Sequence, residues 1–137
     1  MLTHLTIRNY ALIRHLEMEP GPGLNAITGE TGAGKSIMLG AIGLLLGNRA
    51  DTRVLLDQQG KCITEGVFQI GEYGLEEIFA EYGLDYHPET ILRREISPGG
   101  KSRAFINDTP VNLDILKKPG LRLMDVHSQH EIGRAHV

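Results

Sequence analysis

A single cysteine, Cys62, stands alone in the sequence, so no disulfide framework and no cysteine-based zinc site can form within the chain. No apolar run approaches the roughly 18 residues that suggest a membrane-spanning helix. The longest, Ile37 to Leu46, carries two glycines and reads as a buried helix. Positive charge is not in surplus either: the net charge is −3, which gives nucleic acid no global attraction but does not exclude a local contact. The N-terminus, "MLTHLTIRNY", has no basic-then-apolar leader pattern. Internal repeats, low-complexity segments and linkers are absent as well. What remains is 137 residues, enough for one domain with a real core and little room for a second. The expectation is a soluble intracellular chain.

Residues 1–28 read as β structure, broken by the turn cluster "EPGPG" at 19–23 and closing on a short strand, "LNAIT", at 24–28. An apolar helix is expected over 35–46, ended near Gly47-Asn48. Its Met38, Leu39, Ile42, Leu45 and Leu46 read as core. After a polar stretch (49–61), "ITEGVFQI" reads as a strand and "GLEEIFAEYGL" as a short helix with Leu75, Ile78, Phe79 and Tyr82 inward. "TILRREI" and "SRAFIND" read as strands joined by the hairpin signal "SPGGK". "VNLDILKK" reads as a helix with Asn112 near its N-cap, and "LRLMDV" as a further strand.

The stretch "GETGAGKS", residues 29–36, fits G-x-x-x-x-G-K-[ST] at every fixed position. An apolar strand is expected before it and an apolar helix after it, which is the context this motif requires. Gly29 permits the sharp exit from the strand. Gly32 and Gly34 remove side chains, so that backbone N–H groups from about Thr31 to Ser36, with Glu30 and Ala33 in the same loop, can line one concavity. The positive end of the helix dipole adds to that nest for phosphate. Lys35 is placed to reach β- and γ-phosphates, and the Ser36 hydroxyl to ligate Mg²⁺. ATP with Mg²⁺ is the implied ligand.

Several separated motifs in order, "LTIRNYALI", "GLNAITGETGAGKSIMLGAIGLLLGNRAD", "SRAFIND" with "PVNLDIL", and "MDVHSQHE", resemble the RecN family of bacterial SMC-like, ABC-type ATPases. The resemblance runs from Met1 to about Glu131. It implies an α/β P-loop NTPase fold: residues 1–131 as the N-terminal lobe of an ABC-type head, with an antiparallel β portion. It implies ATP and Mg²⁺ as cofactors, a second head and a C-terminal lobe as partners, and DNA engagement by the full-length protein. Double-strand break repair and recombination, in the bacterial cytoplasm and at the nucleoid, is the implied setting. The closing Asp125, His127, His130 and Glu131 look at first like a metal site. Within the resemblance they become the surroundings of a Q-loop, with Gln129 as the residue that contacts Mg²⁺ and the attacking water. Residues 132–137, "IGRAHV", depart from the family pattern and are expected to be a non-native tail.

Other candidates are softer. Arg8 or Asn9, after the first strand, and Arg49 or Arg53, after the helix, are positions from which related heads reach the nucleotide. A solvated surface is the competing reading for each. The basic residues of "LRREISPGGKSR" could meet DNA phosphates, although a solvated hairpin with Glu95 among its charges is the simpler reading. Neither a signature loop of the LSGGQ type nor an apolar run ending in Asp-Glu is present. The chain is therefore expected to bind nucleotide and hydrolyse little. The alternative is a self-contained small P-loop NTPase or kinase that uses Asp125 as its Walker B acid.

Overall fold

The computed structural model describes residues 1–19, 32–50 and 52–123, with the backbone alone for 32–35 and 52. Strands β1 (Leu2–Tyr10) and β2 (Ile13–Met18) form an opening hairpin. Helix α1 (Gly32–Leu45) follows, then a 3-10 turn (Thr52–Val54) and strand β3 (Cys62–Gln69). Helix α2 (Glu76–Glu81) precedes strands β4 (Glu89–Ile96), β5 (Ser102–Ile106) and β6 (Thr109–Val111). Helix α3 is described over residues 113–123. The six strands make one sheet in the order β2-β1-β3-β4-β5-β6, every pairing antiparallel.

Period-two alternation sets the two faces of this sheet. Leu5 and Ile7 of β1, Cys62, Thr64 and Phe68 of β3, Leu92 and Ile96 of β4, and Ala104 and Ile106 of β5 are buried on the face that receives α1. Glycine makes the approach possible at one point. A Cβ on Gly66 would stand 2.7 Å from Leu45 Cδ1 and 2.9 Å from Phe68 Cε1, so the bare backbone of β3 lets the helix settle onto the sheet. The opposite face carries charge. Arg93 pairs with Glu95 (3.1 Å), Asp108 (3.1 Å) and Glu65 (3.7 Å) while lying 4.3 Å over the Phe105 ring.

The β4–β5 hairpin closes as the sequence suggests, with Ser97 N–H donating to Lys101 O at 2.8 Å. Strand β6 is an addition that the sequence reading passed over. Asn107 and Asp108 both hold positive φ (49° and 67°), the signature of a two-residue type I′ hairpin between Ile106 and Thr109. Asn107 also binds β4 through its side chain, accepting from Ile91 N–H at 2.9 Å.

Two expectations are corrected. Leu39, assigned to the core, is 37 % exposed, on the outer side of α1. The stretch "LRLMDV" does not begin as a strand: residues 121–123 continue α3 without a break, and residues 124–126 lie outside the described residues. Asn112 caps this helix, its Oδ1 accepting from Ile115 N–H at 2.9 Å. The helix then runs through Pro119, at the cost of one internal hydrogen bond. Leu116 and Leu123, two turns apart, are buried with Pro119 and Gly120 along one face. A Cβ on Gly120 would overlap the Leu46 carbonyl, so α3 lies directly against the end of α1. Arg122 fastens the far end, its Nη1 donating to Tyr73 O at 2.8 Å. Alternating leucines suggest a strand, but a helical stripe fits the same short run.

Gly66→Val should force Leu45 off the sheet and destabilise the chain by about 1–3 kcal/mol. The urea midpoint should fall at constant slope, and an unchanged midpoint would contradict the packing described.

Candidate functional site

Helix α1 begins at Gly32, three residues earlier than the apolar pattern suggests, so Gly32 to Ser36 already have helical backbone. The first N–H groups of a helix lack an internal partner, and here they belong to the glycine-rich motif itself. No acid occupies the first turn of α1, so no side chain of that turn offsets the positive end of the helix. Ser36 is exposed there, open to an oxygen-seeking cation. Gly29, Glu30 and Thr31 lie outside the described residues, as do Asp125, His127, Gln129, His130, Glu131 and the 132–137 tail.

The opposite end of α1 is built in detail. Gly47, at φ 103°, turns the chain out of the helix. Asn48 N–H donates to Gly43 O at 2.9 Å and Gly47 N–H to Leu44 O at 3.3 Å, the paired bonds of a Schellman motif. The last turn of α1 contains no basic residue, so the chain supplies no local cation to its negative end. One arrives from the sheet. Arg94 of β4, 1 % exposed, donates from Nη1 to Leu44 O and Asn48 O, both at 2.9 Å, and from Nη2 to Ser102 Oγ at 2.7 Å. Burial pulls its guanidinium below its usual pKa, against a raising influence from the Cys62 thiol. An arginine so placed stays charged. Nothing in the sequence distinguishes Arg94 from its neighbour Arg93 except parity: Arg94 falls on the α1 face and Arg93 on the outer one. Both are committed to internal partners, which removes them from the hairpin surface considered for DNA.

The softer candidates separate in space. Arg8 is exposed, in register with His15 and Ile63, on the sheet face away from buried Ile7. Asn9 is a structural clamp: its Nδ2 donates to Asp57 O at 2.9 Å and its Oδ1 accepts from Asp57 N–H at 2.6 Å. Arg49 is exposed just past the C-terminal end of α1, about 20 Å along the helix from Gly32. Arg53 sits in the 3-10 turn, where Val54 O accepts from Ala11 N–H at 2.6 Å and joins this turn to the β1–β2 tip. Tyr10 at that tip packs its ring against α1, where a Cβ on Gly40 would overlap Tyr10 Oη. Among the described residues no helix is long and apolar enough to cross a membrane.

The profile of the AAA domain family matches residues 4–104. The chain is 43 % identical over 131 residues to the DNA repair protein RecN of Vibrio cholerae, covering 95 % of this chain and 24 % of that protein. It is 39 % identical over 133 residues to RecN of Bacillus subtilis, covering 96 % and 23 %. The chain thus spans about a quarter of the length of the curated relatives it matches. Among solved structures, it is similar to one from work on ATP-driven dimerization and DNA-stimulated activation of SMC ATPases. The TM-score is 0.69 at 17 % identity, over 90 % of this chain and 79 % of that one. The SMC head domain of Thermotoga maritima gives 0.58 at 18 % identity over 86 % and 41 %, and an ATP-bound RecF structure 0.57 at 17 % over 84 % and 30 %. The fold is that of these P-loop ATPase heads, as the glycine motif and the antiparallel strands suggest.

Burial raises the Cys62 pKa, against lowering from its Thr64 contact and from Arg94. The folded chain therefore holds a proton that the unfolded thiol releases above about pH 8.5. This contribution to stability is intact below that value and is lost as pH rises through the folded pKa. Alkylation of Cys62 at pH 8 should be at least tenfold slower in the native chain than in urea; equal rates would contradict its burial.

Proposed function

Because this chain belongs to the AAA domain family, we propose that it is the ATP-binding N-terminal lobe, residues 1–131, of a RecN-like ATPase head. Its setting is double-strand break repair and recombination in the bacterial cytoplasm. The observation that carries this reading is the position of "GETGAGKS" at the start of α1, with Gly32 to Ser36 helical and no acid in the first turn. A glycine-rich turn before any apolar helix would not require that combination of lysine, hydroxyl and acid-free helix start.

In this reading the N–H groups of residues 29–36 and the helix dipole hold the phosphates without side-chain bulk at Gly29, Gly32 and Gly34. Glu30, Thr31 and Ala33 contribute through their backbone. Lys35 places a mobile positive charge beside the β- and γ-phosphates, where negative charge develops as the terminal bond breaks. The Ser36 hydroxyl and the Gln129 amide oxygen would hold Mg²⁺, which would supply charge neutralisation at the phosphate oxygens. Gln129 also orients the attacking water. A Walker B acid, a signature loop from a second head, and DNA belong to the larger protein whose relatives are four times this length. The chain alone therefore binds nucleotide and turns it over at no more than a background rate.

Titration calorimetry with ATP and Mg²⁺ should detect binding, and Lys35→Ala should weaken it at least tenfold, about 1.4 kcal/mol. Absence of binding by the wild-type chain would overturn the proposal. Substantial turnover that disappears in Lys35→Ala would favour the self-contained enzyme using Asp125.

A further inference from the structure

Helix α1 is held to the sheet by two kinds of contact with different mechanical properties. Met38, Ala41, Ile42, Leu44 and Leu45 are buried against apolar neighbours. Such burial is strong but non-directional, so it does not by itself dictate where the helix-end carbonyls must lie. The Arg94 fork is directional: a planar group with fixed donor angles meets two carbonyls at 2.9 Å and a hydroxyl at 2.7 Å. Among the described residues it does so without a carboxylate, balanced by carbonyl and hydroxyl dipoles at the negative end of α1. Its Nε has no partner among the described residues. A buried arginine that merely filled space would be costly compared with an apolar residue of similar volume. Position is what this arrangement supplies.

We propose that Arg94 is the positioning residue of the phosphate-binding helix. It grips the carbonyls of Leu44 and Asn48 and thereby sets the height of α1 along its own axis, and with it the height of the first turn. Through Ser102 on β5 the same guanidinium ties that height to the β4–β5 hairpin. A helix of this length is a stiff rod of about 21 Å, so displacement at one end appears at the other. A phosphate nest tolerates little of it, because its hydrogen bonds weaken steeply when lengthened or bent. This inference rests on the nucleotide-binding reading above, and two readouts keep the two separable.

Arg94→Met keeps an unbranched stem suited to burial while removing the fork; Arg94→Lys keeps the charge but offers a single donor point. Circular dichroism first establishes that each variant is folded. Hydrogen exchange then reads the anchor: Arg94→Met should lose protection in residues 36–48 at least tenfold relative to β1 and β3. Calorimetry with ATP and Mg²⁺ reads the consequence: dissociation constants should rise at least tenfold in Arg94→Met and less in Arg94→Lys. A folded Arg94→Met chain that binds as tightly as wild type overturns the proposal, as does one with uniform loss of protection throughout the sheet. If the wild-type chain binds no nucleotide, the function reading fails, and exchange alone decides the anchor: selective loss in α1 supports it and unchanged protection overturns it. If Arg94→Met does not fold, Ser102→Ala takes its place, with about a twofold rise in dissociation constant expected and none overturning the coupling to the hairpin.

Discussion

A guanidinium buried against the end of a helix organises this molecule. Arg94 lies at 1 % exposure with its donors on Leu44, Asn48 and Ser102. Those three partners belong to the helix end, the turn beyond it, and the neighbouring strand. No other interaction among the described residues joins the central sheet to α1 through directional bonds of this kind. The helix provides no cation of its own to its last turn, and the sheet provides no acid to this arginine. Each has a charge imbalance that only the other resolves, and the resolution fixes their relative position.

Around that link the packing is permissive in one respect and strict in another. The apolar side chains of α1 could meet the sheet in several ways at similar cost, since volume and hydrophobicity are what such cores mainly demand. The glycines narrow the choice. Gly66 admits Leu45, Gly40 admits the Tyr10 ring, and Gly120 brings α3 against the Leu46 carbonyl. All three lie where another backbone or a side chain comes closer than a Cβ allows. Ser36, the last residue of the glycine-rich motif, is thus exposed on a helix whose other end and underside are engaged.

Much of this was legible beforehand, for local reasons. The helix expected after "GETGAGKS" is α1, fixed by its own apolar run. "SPGGK" closes a hairpin through the freedom of its own glycines. Asn112 caps α3 through a bond to a residue three positions away. The misreadings share the opposite property. "LRL" reads as a strand because alternating leucines in so short a run fit both periods, and the contact of Gly120 with α1 goes with the helix. Leu39 was assigned to the core because an all-apolar helix does not reveal which side lacks a neighbour. Asn9 read equally well as a nucleotide contact until its amide met the backbone of Asp57, 48 positions away.

The amino-acid sequence by itself determined the glycine-rich motif and the helix that follows it, because both depend on neighbouring residues. It also determined the antiparallel β4–β5 pair through the short turn "SPGGK", whereas β1–β3 and β3–β4 pair antiparallel across long connections that only the tertiary structure settles. Tertiary structure alone decided which of two adjacent arginines is buried and which is paired at the surface. Strand parity sends Arg94 to one face and Arg93 to the other, and only the helix lying on the first face gives a buried guanidinium the carbonyls that make it tolerable.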